Sequence, residues 1–155
     1  MSVFDSDLLA LLHAFEKYKL KYLVVGGYAT NMHGYKRATG DIDFWLKDDI
    51  ENRIKLIDAL DHLGYGRYEE LLNLPMIPGF CEIMLDNGMY ADFMSEIIAL
   101  DQTHFDRCFE TADLISIDSV TITILNKKEH LISKSKSPRA KDQLDFVNLS
   151  MMEEE

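Results

Sequence analysis

Residues 22–46 read YLVVGGYATNMHGYKRATGDIDFWL. An apolar, partly β-branched run, 22–25, suits the middle of a sheet. Gly26-Gly27 ends it, and a short helix to about His33 is expected, closed by Gly34. The loop 35–40 is polar and carries Lys36, Arg37 and Thr39. Asp41-Ile42-Asp43-Phe44 then opens a second strand to Leu46. Strand side chains alternate with period two, so Asp41 and Asp43 point the same way. Two like charges on one face repel unless a cation sits between them, which brings a divalent metal into consideration.

Outward from this stretch, residues 5–19 predict a helix, with Leu8, Leu11, Leu12 and Phe15 at helical spacing and Asp5 or Ser6 as cap. His13 falls among its polar positions. A second helix is expected over 49–63, with Ile50, Ile54, Ile57 or Leu56, Leu60 and Leu63 as its apolar stripe and Gly64 as stop. Residues 65–80 read as an irregular cover loop, with a helical turn at 68–74 broken by Pro75 and Pro78. Asn87-Gly88 between two apolar runs predicts a hairpin over 81–94. Its outgoing strand carries a single acid, Asp92, expensive to bury unless it is paired or ligates a metal.

Further on, 103–112 predicts a helix with Phe105 and Phe109 one turn apart. A second hairpin turns at Asp118-Ser119. Asn126 caps the next helix, with Glu129 in capping-box position. Ser137-Pro138 starts the last helix, whose Leu144, Val147, Met151 and Phe146 are expected to pack inward. Residues 152–155 read as a frayed acidic end. The order of elements predicts an α/β (α+β) fold: a mixed β-sheet flanked by helices, in one domain spanning 1–155.

Composition bounds the chemistry. Apolar residues make up 47% of the 155, the range of an ordinary globular chain. No apolar run has membrane-spanning length, and the start has neither a basic segment nor an apolar signal core. A cytoplasmic protein is expected, without membrane contact, with Cys81 and Cys108 as idle thiols. The formal net charge of −11 argues against broad nucleic-acid binding. Yet 127–141 holds Lys127, Lys128, Lys134, Lys136, Arg139 and Lys141 against one acid, Glu129, which suggests a local anion site.

If the strands bearing Asp41, Asp43 and Asp92 are neighbours, three carboxylates meet at one end of the sheet. Hard divalent cations take such oxygen ligands together with substrate phosphates. Gly26-Gly27 lets a phosphate approach the backbone, and the basic segment supplies counter-charge. Each piece alone is commonplace: a Gly-Gly turn, an Asp-x-Asp loop and a solvated Lys-rich face all recur without function. Their order and spacing together are far more specific.

Gly26-Gly27, thirteen residues, then Asp41-Ile42-Asp43-Phe44 resembles the signature of the polymerase-beta-type nucleotidyltransferase superfamily, with Asp92 in the place of its third acid. Within it, the chain resembles small bacterial single-domain nucleotidyltransferase-like proteins related to abortive-infection toxins. Lys134 ahead of Arg139, Lys141, Asp142 and Asp145 matches their C-terminal pattern, and the likeness covers roughly 20–150. The resemblance implies transfer of a nucleoside monophosphate from a nucleoside triphosphate to a hydroxyl acceptor (a transfer RNA, a protein or a small molecule), with release of pyrophosphate. It implies magnesium or manganese on Asp41, Asp43 and Asp92, the last also polarising the acceptor hydroxyl. Gly26 and Gly27 would approach the triphosphate, Lys134 and Lys141 would neutralise it with Arg37 or Arg139 assisting, and Thr39 would bond a phosphate or orient its loop. Many superfamily members have Ser after the first Gly; here it is Gly27. A homodimer is expected, since a one-domain transferase leaves its cleft half open. The alternative is a catalytically silent nucleotide- or partner-binding module, such as half of a toxin–antitoxin pair.

Overall fold

The strand that precedes Gly26-Gly27 is the axis of a six-stranded mixed sheet. β1 (Tyr22–Val25) is buried along its whole length, because it has a neighbour on each edge and a packed layer on each face. The strand order is β3-β4-β2-β1-β6-β5, where β2 is Ile42–Leu46, β3 Glu82–Met84, β4 Tyr90–Met94, β5 Asp113–Ile117 and β6 Val120–Ile124. The structure is a computed structural model and describes residues 5–152. β1 runs antiparallel to β2 and parallel to β6; β2 runs parallel to β4; β3–β4 and β5–β6 are antiparallel hairpins. The second hairpin turns on Asp118 and Ser119, both left-handed (φ 48° and 69°), which matches the twist of two-residue hairpins. Among the described residues no helix is long and apolar enough to cross a membrane.

Period-two alternation divides the sheet into two unlike faces. One face carries Tyr22, Val24, Phe44, Ala91 and Phe93 beneath α1 (Ser6–Lys17) and α3 (Ile50–His62). There Phe15 stands edge-on to Phe44 at 5.2 Å and Phe44 stacks on Phe93 at 5.7 Å. Such pairs contribute about 0.5–1.5 kcal/mol each beyond their area. The other face carries Leu23, Val25, Trp45 and Met94, covered by Phe105 and Cys108 of α4 (Gln102–Glu110). Asp43 and Asp92 alternate with the first set, so they fall on this second face. α4 covers only part of it, and the carboxylates stand where cover ends.

Three expectations are corrected. On α3, Ile50 and Ile54 are exposed, and Asn52 is turned inward instead. Its amide donates to the carbonyls of Lys21 and Lys47 and its oxygen accepts from the Lys21 amide, so it stitches the entrance of β1 to the end of β2. The last helix, α6 (Ala140–Ser150), begins two residues after Pro138. Its Leu144, Val147 and Met151 face solvent, while Asp142, Asp145 and Leu149 are buried, for reasons given by their partners below. Asn126 does cap α5 (Lys127–Ser135) by accepting from the Glu129 amide at 2.9 Å. The reciprocal half of the box is missing, because Glu129 pairs with Arg107 at 3.0 Å. The segment 65–80 contains a 3-10 turn at Glu69–Leu72 and drops Leu71 and Met76 into the larger core. The acidic end expected at 152–155 lies outside the described residues from 153 onward.

Candidate active site

The site begins where β1 turns into α2 (Gly26–Met32). Gly26 is left-handed, φ 68°, a conformation that costs an L side chain about 1–2 kcal/mol. It also lies against the next strand: a Cβ there would overlap Asp43 Oδ2 and stand 3.2 Å from Asp43 Cγ. At Gly27 a Cβ would run into the Thr39 side chain, 3.0 Å from its Cβ and 3.3 Å from Arg37 Nη1. Thr39 therefore fills the space that a serine side chain would need at position 27. The two glycines allow the backbone to press on the carboxylate strand and on the 35–40 loop at once.

β2 and β4 are parallel neighbours, and Asp43 is directly opposite Asp92. Neighbouring strands lie about 4.8 Å apart, so the two carboxylates share one small volume. Burial, then the charges of Asp92 and Asp41, push the Asp43 carboxyl up to about 7; Lys134 and Arg139 pull weakly the other way. Burial also raises Asp92, to about 6, against the hydrogen bond it accepts from Gly79. That bond, from the Gly79 amide to Asp92 Oδ2 at 2.7 Å, occupies one oxygen. The other, Oδ1, is buried without a partner, on a residue only 7% exposed. Asp41, exposed just before β2, accepts from the Tyr90 amide at 3.2 Å.

Asp41 and Asp92 are thus each turned partly toward an amide. Among the described residues no three His, Cys, Asp or Glu side chains are gathered tightly enough to hold an ion. The donor set nonetheless fits a hard divalent cation: three oxygen ligands, one orphaned lone-pair oxygen, and a carboxylate pair whose joint ionisation is opposed by its surroundings.

The opposite wall comes from α5 and α6. Lys134, 8% exposed, bonds Asp142 Oδ1 at 2.7 Å and Asp145 Oδ2 at 3.1 Å. Arg37 reaches from the loop and grips Asp145 with two parallel bonds, Nε–Oδ1 2.7 Å and Nη2–Oδ2 2.8 Å. The Ser137 hydroxyl donates to Asp142 at 2.6 Å, and Arg139 Nε is 3.5 Å from the same carboxylate. This is why α6 turns its acids inward. Burial alone would push Asp142 and Asp145 up, but hydrogen bonds from Lys134, Ser137 and Arg37 reverse it and hold both below the ordinary carboxylate range. An apolar stripe offers no such partners to Lys134 and Arg37.

All ten predicted site residues, Gly26, Gly27, Arg37, Thr39, Asp41, Asp43, Asp92, Lys134, Arg139 and Lys141, line one cavity of about 500 Å³. Lys134 is not a lone cation in it, however, since two aspartates already share its charge. Sequence reasoning did not single out His130, which lines the same cavity with Nε2 2.8 Å from Thr30 Oγ1. Burial and then the Lys134 charge depress it to about 3, so it stays neutral. It also missed the Gly79 amide. A loop without periodicity gives no signal of where one amide will point. The apolar side of the cavity, Met94, Ile97 and Ile98, was likewise unmarked.

No family model matches the chain, and no curated protein sequence matches it. Solved structures do. The lincosamide antibiotic adenylyltransferase LnuA, solved with lincomycin bound, aligns over 99% of this chain and 100% of its own, with TM-score 0.60 and 16% identity. An antigenic nucleotidyltransferase-like protein from Paracoccidioides brasiliensis aligns over 92% of this chain and 74% of its own (TM-score 0.55, 14% identity). ANT(2")-Ia in complex with adenylyl-2"-tobramycin aligns over 92% and 84% (TM-score 0.51, 16% identity). The mixed sheet with its flanking helices is thus the nucleotidyltransferase fold. At such identities the likeness is one of fold.

Proposed function

We propose that the chain is a nucleotidyltransferase that moves a nucleoside monophosphate from a nucleoside triphosphate to a hydroxyl acceptor. One observation carries the reading: Asp43 and Asp92 stand in register on a sheet face at the edge of its helical cover, with an oxygen left unpaired, opposite the cations of α5 and α6. Asp41, Asp43 and Asp92 would hold magnesium or manganese. When bound, the ion neutralises charge on the transferring phosphoryl group and on the attacking and leaving oxygens. The chain itself positions the reactants. Gly26 and Gly27 bring the backbone close to the triphosphate, and Thr39 orients the loop beside it. Lys134, Lys141, Arg139 and Arg37 meet phosphate charge, the first and last held rigid by Asp145. The acceptor hydroxyl oxygen attacks the α-phosphorus, Asp92 polarises that hydroxyl and helps draw off its proton, and the bond to pyrophosphate breaks. Fixed charges of this kind lower the barrier because no reorganisation is needed during reaction.

The named ligands of two similarly folded proteins, lincomycin and adenylyl-2"-tobramycin, favour a small hydroxyl compound over a transfer RNA or a protein as acceptor. The likeness to toxin-related proteins, resting on sequence motifs alone, and the homodimer, resting on the half-open cleft of a one-domain transferase, remain part of the proposal. The test is incubation of the protein with labelled triphosphates, magnesium and a cell extract, beside Asp43→Asn. Label transferred by the parent and not by the variant supports the reading; equal transfer refutes the roles assigned.

A second reading has its own observation. The Asp41 and Asp92 bonds to backbone amides leave no three-acid cluster among the described residues, which suits a silent nucleotide- or partner-binding module. Calorimetric titration of triphosphate with and without magnesium separates the two, since only the transferase requires metal-dependent binding.

A further inference from the structure

The row of acids does not stop at Asp92. Glu82 on edge strand β3 is directly opposite Asp92, as Asp92 is opposite Asp43, so one carboxylate per strand crosses β2, β4 and β3 on the same face. Glu82 is exposed, and it also lines a second groove of about 400 Å³ along the sheet edge. The chain between the two cavities is short: Pro78 and Gly79 line the first, Phe80 and Cys81 the second. The groove is walled by Tyr68, Phe80 and Met84, which are 37%, 58% and 54% exposed, large apolar groups left to solvent. Exposed apolar walls beside a reactive site mark a binding surface. The ionisable side chains of this groove, tyrosines aside, are the acids Glu70 and Glu82 and the buried thiol Cys81; no Lys or Arg among the described residues lines it. The nearby Arg67 is spent on Asp58 and Glu69, at 2.9 and 2.7 Å.

We infer that this groove holds the apolar, positively charged arm of a small hydroxyl acceptor, with Glu82 as the anchor for its ammonium group. The inference rests on the transferase reading and names the acceptor's chemistry. Glu82 stands one strand spacing, about 5 Å, from Asp92, so an acceptor anchored on Glu82 extends its hydroxyl end toward the first cavity. Charge sets the class: a polyanion such as RNA meets Glu70, Glu82 and a chain of net charge −11, whereas a cation is drawn in.

Tyramine carries the three features in one molecule: an aromatic ring, an ammonium and a hydroxyl. Titrated into the full chain, it shifts the amide resonances of Tyr68, Phe80, Glu82 and Met84 and saturates. 3-(4-hydroxyphenyl)propionate, the anion of like shape, binds at least tenfold more weakly. Glu82→Gln weakens tyramine about fivefold, the size of one exposed ion pair; Phe80→Ala, at another exposed position, also weakens it, since it removes part of the apolar wall. Equal binding of the anion, unchanged affinity in Glu82→Gln, or a short single-stranded RNA shifting these amides overturns the inference. Magnesium triphosphate is titrated into the same sample. Triphosphate binding with a silent groove overturns the acceptor role alone. Tyramine binding with no triphosphate binding overturns that role and the transferase reading together.

Discussion

Replacing Asp43 by Asn should stabilise the protein while removing its response to magnesium. In the unfolded chain this carboxyl ionises near its ordinary value of 3.8; in the fold, burial and the charges of Asp92 and Asp41 raise it to about 7. The sign follows from proton linkage. Between those two pH values the folded state holds a proton that the unfolded state has lost, so stability falls as pH rises through the window. At about 1.4 kcal/mol per unit the full loss is roughly 4–4.5 kcal/mol. Asp43 is partly open to the cavity, and solvent screening reduces this to about 2 kcal/mol. No donor among the described residues hydrogen-bonds the Asp43 carboxylate, so the amide breaks nothing. The Asp43→Asn variant is therefore expected to gain about 2 kcal/mol over the parent at pH 8 in urea denaturation, and under half of that at pH 5. His130 titrates in the opposite sense: held neutral with its value near 3, it costs stability as pH falls below about 6.5. That cost is common to both proteins and cancels in the difference. Magnesium at about ten times its Kd should stabilise the parent by about 1.4 kcal/mol and the variant hardly at all. A variant less stable than the parent at pH 8, or one that magnesium stabilises equally, would refute the reasoning.

Gly26→Ala meets both a left-handed φ and the Asp43 side chain; it should lower Tm by about 3–8 °C in a thermal melt and abolish metal-dependent triphosphate binding by displacing Asp43. Gly27→Ser should destabilise by about 1–3 kcal/mol through overlap with Thr39, and Thr39→Ala added to it should recover most of that loss in urea denaturation, a coupling that independent sites would not show. Asp145→Asn leaves Arg37 and Lys134 with one buried counter-charge fewer and should cost about 3–5 kcal/mol. Calorimetry on the folded fraction should then find weaker triphosphate binding, since Arg37 is no longer fixed; unchanged affinity would show that Arg37 is not part of the anion site.

The half of the site on the sheet was legible because alternation is a strict rule. A strand with acids at 41 and 43 and apolar residues at 42 and 44 has one arrangement that buries Phe44 beside Phe15, and that arrangement presents Asp43 on the other face. Asn87-Gly88 announced the hairpin that carries Asp92. What local pattern could not state was that β2 and β4 are neighbours in register, a property of sheet order. The misreadings share one cause. Apolar residues at helical spacing are expected to face the core, yet on α6 the inward side is chosen by Asp142 and Asp145, whose bonds to Lys134, Ser137 and Arg37 outweigh the burial of Leu144 and Val147. On α3 the inward place of Asn52 is set by two carbonyls that flank β1 and β2, one of them far away in sequence. Long-range polar partners leave no periodic trace in a single chain.

The two walls of the cavity treat charge differently, and the difference bears on function. On the sheet wall Asp43 and Asp92 stand opposed with no cation of the described residues within bonding distance, and both carboxyls are raised. On the helix wall Asp142 and Asp145 are satisfied by Lys134 and Arg37, and both carboxyls are depressed. Had the fold needed only stability, Lys134 could have been spent on the sheet acids, which it influences across the same cavity. Instead it is locked to Asp145 with Arg37, which fixes two cations facing the open space and leaves the sheet acids unrelieved. That division suits a ligand with both signs, a cation against Asp43 and Asp92 and an anion against Lys134, Arg139 and Lys141. A metal–triphosphate pair has that distribution of charge, and neither component alone would satisfy both walls.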